Sequence, residues 1–350
     1  MPQEVLRHSD TPPTLGRLLA LDDTALEQAD VVLLNLAVAK GIPSLADLDV
    51  ARYVRIVDDW TRLFARLLPG METAFRKAPE RWKNDIRLFR VGMLQGFLGH
   101  EIGVRYVEEK KHAAGARYTD PGDVFLHGLI DAGQGTCANM PVLHVAMARR
   151  MGWPVSLACA GSHFISRFDD GEVVHNIEAT STHPGSFASD PDEAYVERFD
   201  LPRRAVECGS DLRKLTAREM VGVFLGLRAR HYADTARPAE ADSSYCLARA
   251  LFPCHRHTYI RAMAPMLARG TMLFNPGEVG HPDTLFEAVE PHLPAARGIQ
   301  KGLEAMSIAP SATPGMSAGA DSVVDVLTAA FGFPLPAGPE ASLKQEGEGP

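Results

Sequence analysis

Apolar positions recur at helical spacing through the first third of the chain and shift to strand spacing only near its middle. Thr24 reads as the cap of a helix carrying Leu33, Leu36 and Val38 and ended by Gly41 and Pro43. Ser44 reads as the cap of the next, with Leu48, Tyr53, Val57, Trp60, Phe64 and Leu67 running until Pro69. A long helix starts near Asn84 and carries Ile86, Phe89, Val91, Leu94, Phe97, Ile102 and Tyr106, an aromatic stripe whose spacing suits core packing. Pro121 to Ile130 is a further helix. The period then changes: Val155 to Cys159, Phe164 to Phe168 and Glu172 to Ile177 read as three strands. Helical spacing returns over Arg218 to Tyr232 and Ala241 to Leu251, with another start near His257. From Ser307 the chain is rich in Pro, Gly, Ala and Ser and reads as a flexible tail, with one short apolar stretch, Asp321 to Phe331, suited to docking. The pattern predicts an α+β protein in five parts: a flexible 1–13, a helical 14–119, a mixed core 120–189, a helical 190–306 and a tail 307–350.

The mixed core carries the candidate chemistry. Gly133 and Gly135 break the preceding helix, and Cys137 begins a helical run, Ala138 to Met151, with Val142, Val145, Ala146 and Ala148 on its apolar face. Gly152 and Pro154 end that run. A cysteine at a helix N-terminus gains thiolate stabilisation from the free N–H groups and the helix dipole. Downstream, Asp169-Asp170-Gly171 is a hairpin signal. With Asp170 and Gly171 as the two loop residues, Asp169 pairs with Glu172, and counting outward sets His163 opposite Glu178 on one face. Phe164, Phe168, Val173 and Ile177 then share the other face, and a one-residue slip would destroy both groupings. A cysteine nucleophile needs a base and a group to orient that base, and Cys137, His163 and Glu178 supply the three in order.

Gly135-Thr136-Cys137, the helix end Ala148-Arg149-Arg150-Met151-Gly152-Trp153-Pro154, Gly161-Ser162-His163-Phe164 and Asn176-Ile177-Glu178-Ala179-Thr180 together resemble the transglutaminase-like superfamily, with its papain-like core. The resemblance covers roughly residues 120–185. It implies a nucleophilic Cys137, a base His163 and a third member on the next strand, where the family usually places an aspartate and this chain has Glu178. The helical surroundings look like a bacterial group of that superfamily with tetratricopeptide-like helices after the core. Tyr245, Ala248, Ala250 and Pro253 resemble the second helix of such a repeat.

Composition narrows the partners. The 350 residues are 45% hydrophobic, enough for a substantial core, and the net charge of −8 lacks any basic block, which argues against nucleic acid. Five scattered cysteines (137, 159, 208, 246 and 254) argue for a reducing compartment rather than a disulfide framework. The first residues lack an apolar signal region, and the longest apolar run, Val31 to Ala39, is too short for a membrane span and contains Asn35. A cytoplasmic protein with no membrane partner and no cofactor is expected.

Gln134, three residues before Cys137, is a candidate oxyanion donor beside the Cys137 backbone N–H. Asn176 is a candidate orienter of His163 should Glu178 not reach. The favoured chemistry is thiol-dependent acyl transfer on a peptide or protein substrate: hydrolysis if water completes it, transamidation if an amine does. Two alternatives stand beside it. One is a catalytically silent interaction module that uses the C-terminal helices as a partner groove, although those helices serve equally as a cap on the core. The other is a metal-dependent hydrolase, with zinc on Cys137, His144 and His163, and with His175 and His183 nearby; no close ligand pair supports it. Cys254-His255-Arg256-His257 lacks partners at metal spacing and suits a helix start.

Overall fold

The computed structural model describes residues 14–107, 109, 117–180, 187–201 and 203–255. His183, His257, the helix start near His257, the tail from Ser307 and its Asp321 to Phe331 stretch lie outside them.

The fold is α+β, with helices predominating. Helices α1 (Leu15–Leu19), α2 (Asp23–Gln28), α3 (Val31–Ala39), α4 (Val50–Lys77) and α5 (Ile86–Phe97) come first. Strand β1 (Arg105–Tyr106), helix α6 (Leu126–Ala132), strand β2 (Gln134–Gly135) and helix α7 (Met140–Arg150) follow. Strands β3 (Val155–Ala160), β4 (His163–Asp169) and β5 (Val174–Ile177) lead into helices α8 (Asp192–Phe199), α9 (Arg203–Glu207), α10 (Ala217–Asp234) and α11 (Pro238–Leu251).

All nine residues of α3 are buried, as expected of a helix apolar on every side. Its one polar member, Asn35, is not idle: its Oδ1 accepts from Leu126 N at 3.0 Å and so satisfies the first turn of α6. The single helix expected after Thr24 is two. Asp30 interrupts it, because its Oδ1 accepts from Val32 N and Leu33 N and caps α3 while its Oδ2 takes the Arg150 Nε at 2.7 Å. Helix α4 starts at Val50 under an Asp49 cap, not at Ser44, and runs through Pro69 to Lys77. Its second half is held against α5: Phe75 packs on Phe89 with ring centroids 5.1 Å apart, and Glu72 pairs with Arg90 at 2.7 Å. The α5 stretch ends in a wide turn over Leu98–Ile102, which places Tyr106 on β1 rather than on a helix.

β3, β4 and β5 form one antiparallel sheet in that order. Val155, Leu157, Cys159, Phe164, Phe168 and Ile177 face the main core, together with α3, α7 and α10. Ala158, Ala160 and Ile165 face the other way, onto Tyr195 of α8, Leu201 and Leu212. The expected strand faces are therefore present, but the register is not the expected one. Asp169 pairs with Val174 and Phe168 with His175, leaving a four-residue loop, 170–173. A two-residue turn of the favoured kind needs positive φ at both loop positions. Only Gly171 has it, at +88°. Asp170 Oδ1 instead accepts from Glu172 N at 3.0 Å and Val173 N at 2.9 Å, which stabilises the wider loop. Because the shift is two residues, every side chain keeps its face.

Candidate active site

Cys137 lies in a turn between β2 and α7, not at the first position of the helix. Helix α7 begins at Met140, and Asn139 is the reason: its Oδ1 accepts from Thr136 N at 2.8 Å, and its amide donates to Gly122 O and Phe125 O. Thr136 completes the clamp, with Oγ1 donating to Asp123 O at 2.7 Å and accepting from Ala138 N. Gly135 is required at the base of this turn. A Cβ there would lie within 2.7 Å of Asn139 Oδ1, Leu129 Cδ1 and Met140 Cγ. The thiol is half-buried and still sits on the N-terminal side of α7, just before its first free N–H groups.

His163 opens β4 after the tight Gly161-Ser162 connection from β3, in which Gly161 has φ of +67° and its N–H is held by Asp211 Oδ1 at 2.8 Å. Its Nε2 lies 2.8 and 3.0 Å from the two Glu178 oxygens. Carried outward, the observed register would put Thr180 opposite His163 and makes Glu178 its diagonal neighbour. The longer reach of glutamate spans that diagonal. Thr180 donates from both N and Oγ1 to Glu178 Oε1, the Glu178 N–H is held by Ala188 O at 3.2 Å, and Gln95 on α5 donates to Ala179 O at 2.8 Å. Phe199 stacks on the imidazole, with centroids 5.1 Å apart and planes 18° apart, and Tyr195 stacks behind Phe199. The carboxylate thus occupies Nε2 and leaves Nδ1 for the neighbouring Cys137 side chain.

Burial alone would lower the His163 pKa. The hydrogen bonds to Cys137 and Glu178 and the carboxylate charge outweigh it and push the pKa up to about 10. Burial would likewise raise Glu178, but the His163 hydrogen bond and charge and the Thr180 donors hold it below its ordinary value. The ring is therefore protonated at neutral pH and paired with a carboxylate on one side and sulfur on the other. Such a cation can stabilise a thiolate and deliver a proton to a leaving group.

Asn176 is not part of this cluster. It is buried on the same sheet face but accepts from Arg167 Nη1 at 2.6 Å and donates to Asp192 Oδ1 and Asp190 O, tying α8 to the sheet. Gln134 is exposed on β2. His144 is fully buried with Nε2 on Val91 O at 3.1 Å, and burial pushes its pKa down to about 4. His175 pairs with Asp85 at 2.9 Å. Cys254 contacts Arg213 and Gly209 O, and His255 stacks on Phe252. Among the described residues no three His, Cys, Asp or Glu side chains gather into a group that could hold a metal ion, so the Cys137, His144 and His163 set is not assembled. Sequence reasoning gave no role to Thr136 and Asn139, which hold the Cys137 turn, to Thr180, which holds Glu178, or to Phe199, which stacks on His163. The polar flanks of Cys137 were a signal for Thr136 and Asn139; nothing local pointed to Phe199.

No protein-family model, no curated protein and no solved structure matches the chain. The class rests on fold and site alone: an α+β protein with a cysteine, a histidine and a glutamate brought together at the end of a three-stranded sheet.

Proposed function

We propose that the protein performs thiol-dependent acyl chemistry on a peptide or protein amide, in the manner of the transglutaminase-like superfamily. The observation that carries this reading is His163, held by Glu178 through Nε2, with the Cys137 side chain as its other polar neighbour. His163 already holds the proton of Cys137, and the thiolate sulfur attacks the carbonyl carbon. His163 returns the proton to the departing amine, and Glu178 fixes the ring and balances its charge throughout. Water then releases the acyl group as an acid, and an amine in its place completes a transamidation. Hydrolysis is the first reading, since water is always present.

Iodoacetamide labelling tests the assignment. Near neutral pH, Cys137 should alkylate ahead of the more exposed Cys246, and His163→Ala should abolish that preference. Equal rates at Cys137 and Cys246 in the wild type overturn it. A screen of peptide and glutamine-donor substrates, with Cys137→Ala as control, then separates hydrolysis from transamidation.

A further inference from the structure

The short parallel pair β1–β2 brings one more side chain to the sulfur. Tyr106 pairs with Gly135, and Arg105 N and Val107 N donate to Gly133 O and Gly135 O, each at 2.9 Å. This fixes Tyr106 alongside the Cys137 turn, with its ring packed against the main core. The parallel pairing sets its side chain beside the Cys137 turn, and its hydroxyl lies near both the backbone and the side chain of Cys137.

When sulfur adds to a carbonyl carbon, the oxygen must find donors beside Sγ, and the nucleophile's own N–H is the nearest. The Tyr106 hydroxyl lies near both that backbone and the sulfur, the neighbourhood of a second donor. We propose that Tyr106 is a catalytic residue: its hydroxyl turns from Cys137 to the substrate's carbonyl oxygen and, with the Cys137 N–H, holds the oxyanion. This rests on the acyl-transfer reading above and fills the place that Gln134, exposed on β2, leaves open. As the S–C bond forms, the carbonyl π pair moves onto oxygen and His163 holds the thiol proton. On collapse that pair returns, the bond from carbon to the leaving group breaks, and His163 protonates the leaving group. Tyr106 keeps its proton throughout, because burial above all, and then the Cys137 charge, raise its pKa well above that of an ordinary tyrosine.

Two reagents separate this role from its rivals on the full chain. p-Nitrophenyl acetate acylates sulfur through an oxyanion, whereas iodoacetamide alkylates it at a saturated carbon without one. Acetyl-Cys137 and carbamidomethyl-Cys137 are followed by mass spectrometry in wild type and Tyr106→Phe. Acetylation should slow about 10²–10³-fold in Tyr106→Phe while alkylation keeps its wild-type rate. Unchanged acetylation overturns the proposal, and faster acetylation makes the phenol a plug. A parallel fall with both reagents means that Tyr106 serves the thiol or the fold instead. Wild type that alkylates at Cys137 but never acetylates there overturns the acyl-transfer reading itself, and this proposal with it.

Discussion

Glu178 and Asn176 lie two residues apart on one face, yet they do different work. Glu178→Gln keeps the shape, removes the charge and leaves His163 free to take the wrong tautomer. Activity should fall by about 10²–10⁴-fold with little change in fold, measured as kcat on whichever amide substrate the screen identifies. Asn176→Ala removes partners of Arg167 and Asp192 and should cost about 1–3 kcal/mol in urea unfolding, with activity per folded molecule retained. The reverse ranking would make Asn176 the third member. The same pair sets a pH window. A raised His163 pKa gives stability that is complete below the ~6.5 of an unfolded histidine and is lost as pH climbs to about 10. A lowered Glu178 pKa gives stability that is complete above the ~4.3 of an unfolded glutamate and is lost as pH falls through its folded value. The Tm gap between wild type and Glu178→Gln should therefore be widest near pH 5 to 6.5 and narrow toward pH 10. A gap that grows with pH would mean that His163 is neutral in the folded protein.

Elements were legible where periodicity was strong and unsupported by distant contacts. The three strands, their faces, α7 and α10 follow from apolar spacing, and α10 adds a Thr216–Glu219 capping box. The His163–Glu178 contact was legible because facing survives a two-residue shift, although the loop length was not: that depended on which carbonyls and amides Asp170 would choose. The path of α4 through Pro69 was hidden for a different reason, since packing of Phe75 on Phe89 overrides local propensity. That helix still carries the mismatch. Gly70 is exposed, and a Cβ there would meet nothing within 4 Å. Gly70→Ala should raise stability by about 0.5–1 kcal/mol in chemical denaturation. A loss of stability would show that the backbone there is not free to take alanine. Tyr106 and Phe199 were illegible, because only the folded chain brings β1 and α8 to a cysteine and histidine from other elements.

At the scale of the molecule, among the described residues, the main core runs from Leu18 and the α3 side chains to Phe224, Tyr245 and Phe252. Helix α10 is pinned to the N-terminal helices. Ala217 N donates to Glu27, Arg218 binds Asp23 and Leu21 O, Arg228 donates to Val38 O, and Tyr232 donates to Gly41 O. A truncation ending near Asp190 uncovers α3 and should give an insoluble or molten product, seen as dye binding and loss of a cooperative melt. A soluble, cooperatively melting fragment would make α10 and α11 a separable module. The clasp between α10 and the first helices also decides when the protein becomes itself. Cys137, His163 and Glu178 are near neighbours along the chain, so their meeting costs little loop entropy, but the floor beneath them is closed by partners some 190 positions apart. On the ribosome Cys137 is made well before α10, the helix that closes over α3. Until α10 emerges, a nascent chain therefore carries α3, apolar on every side, with its α10 partner not yet made.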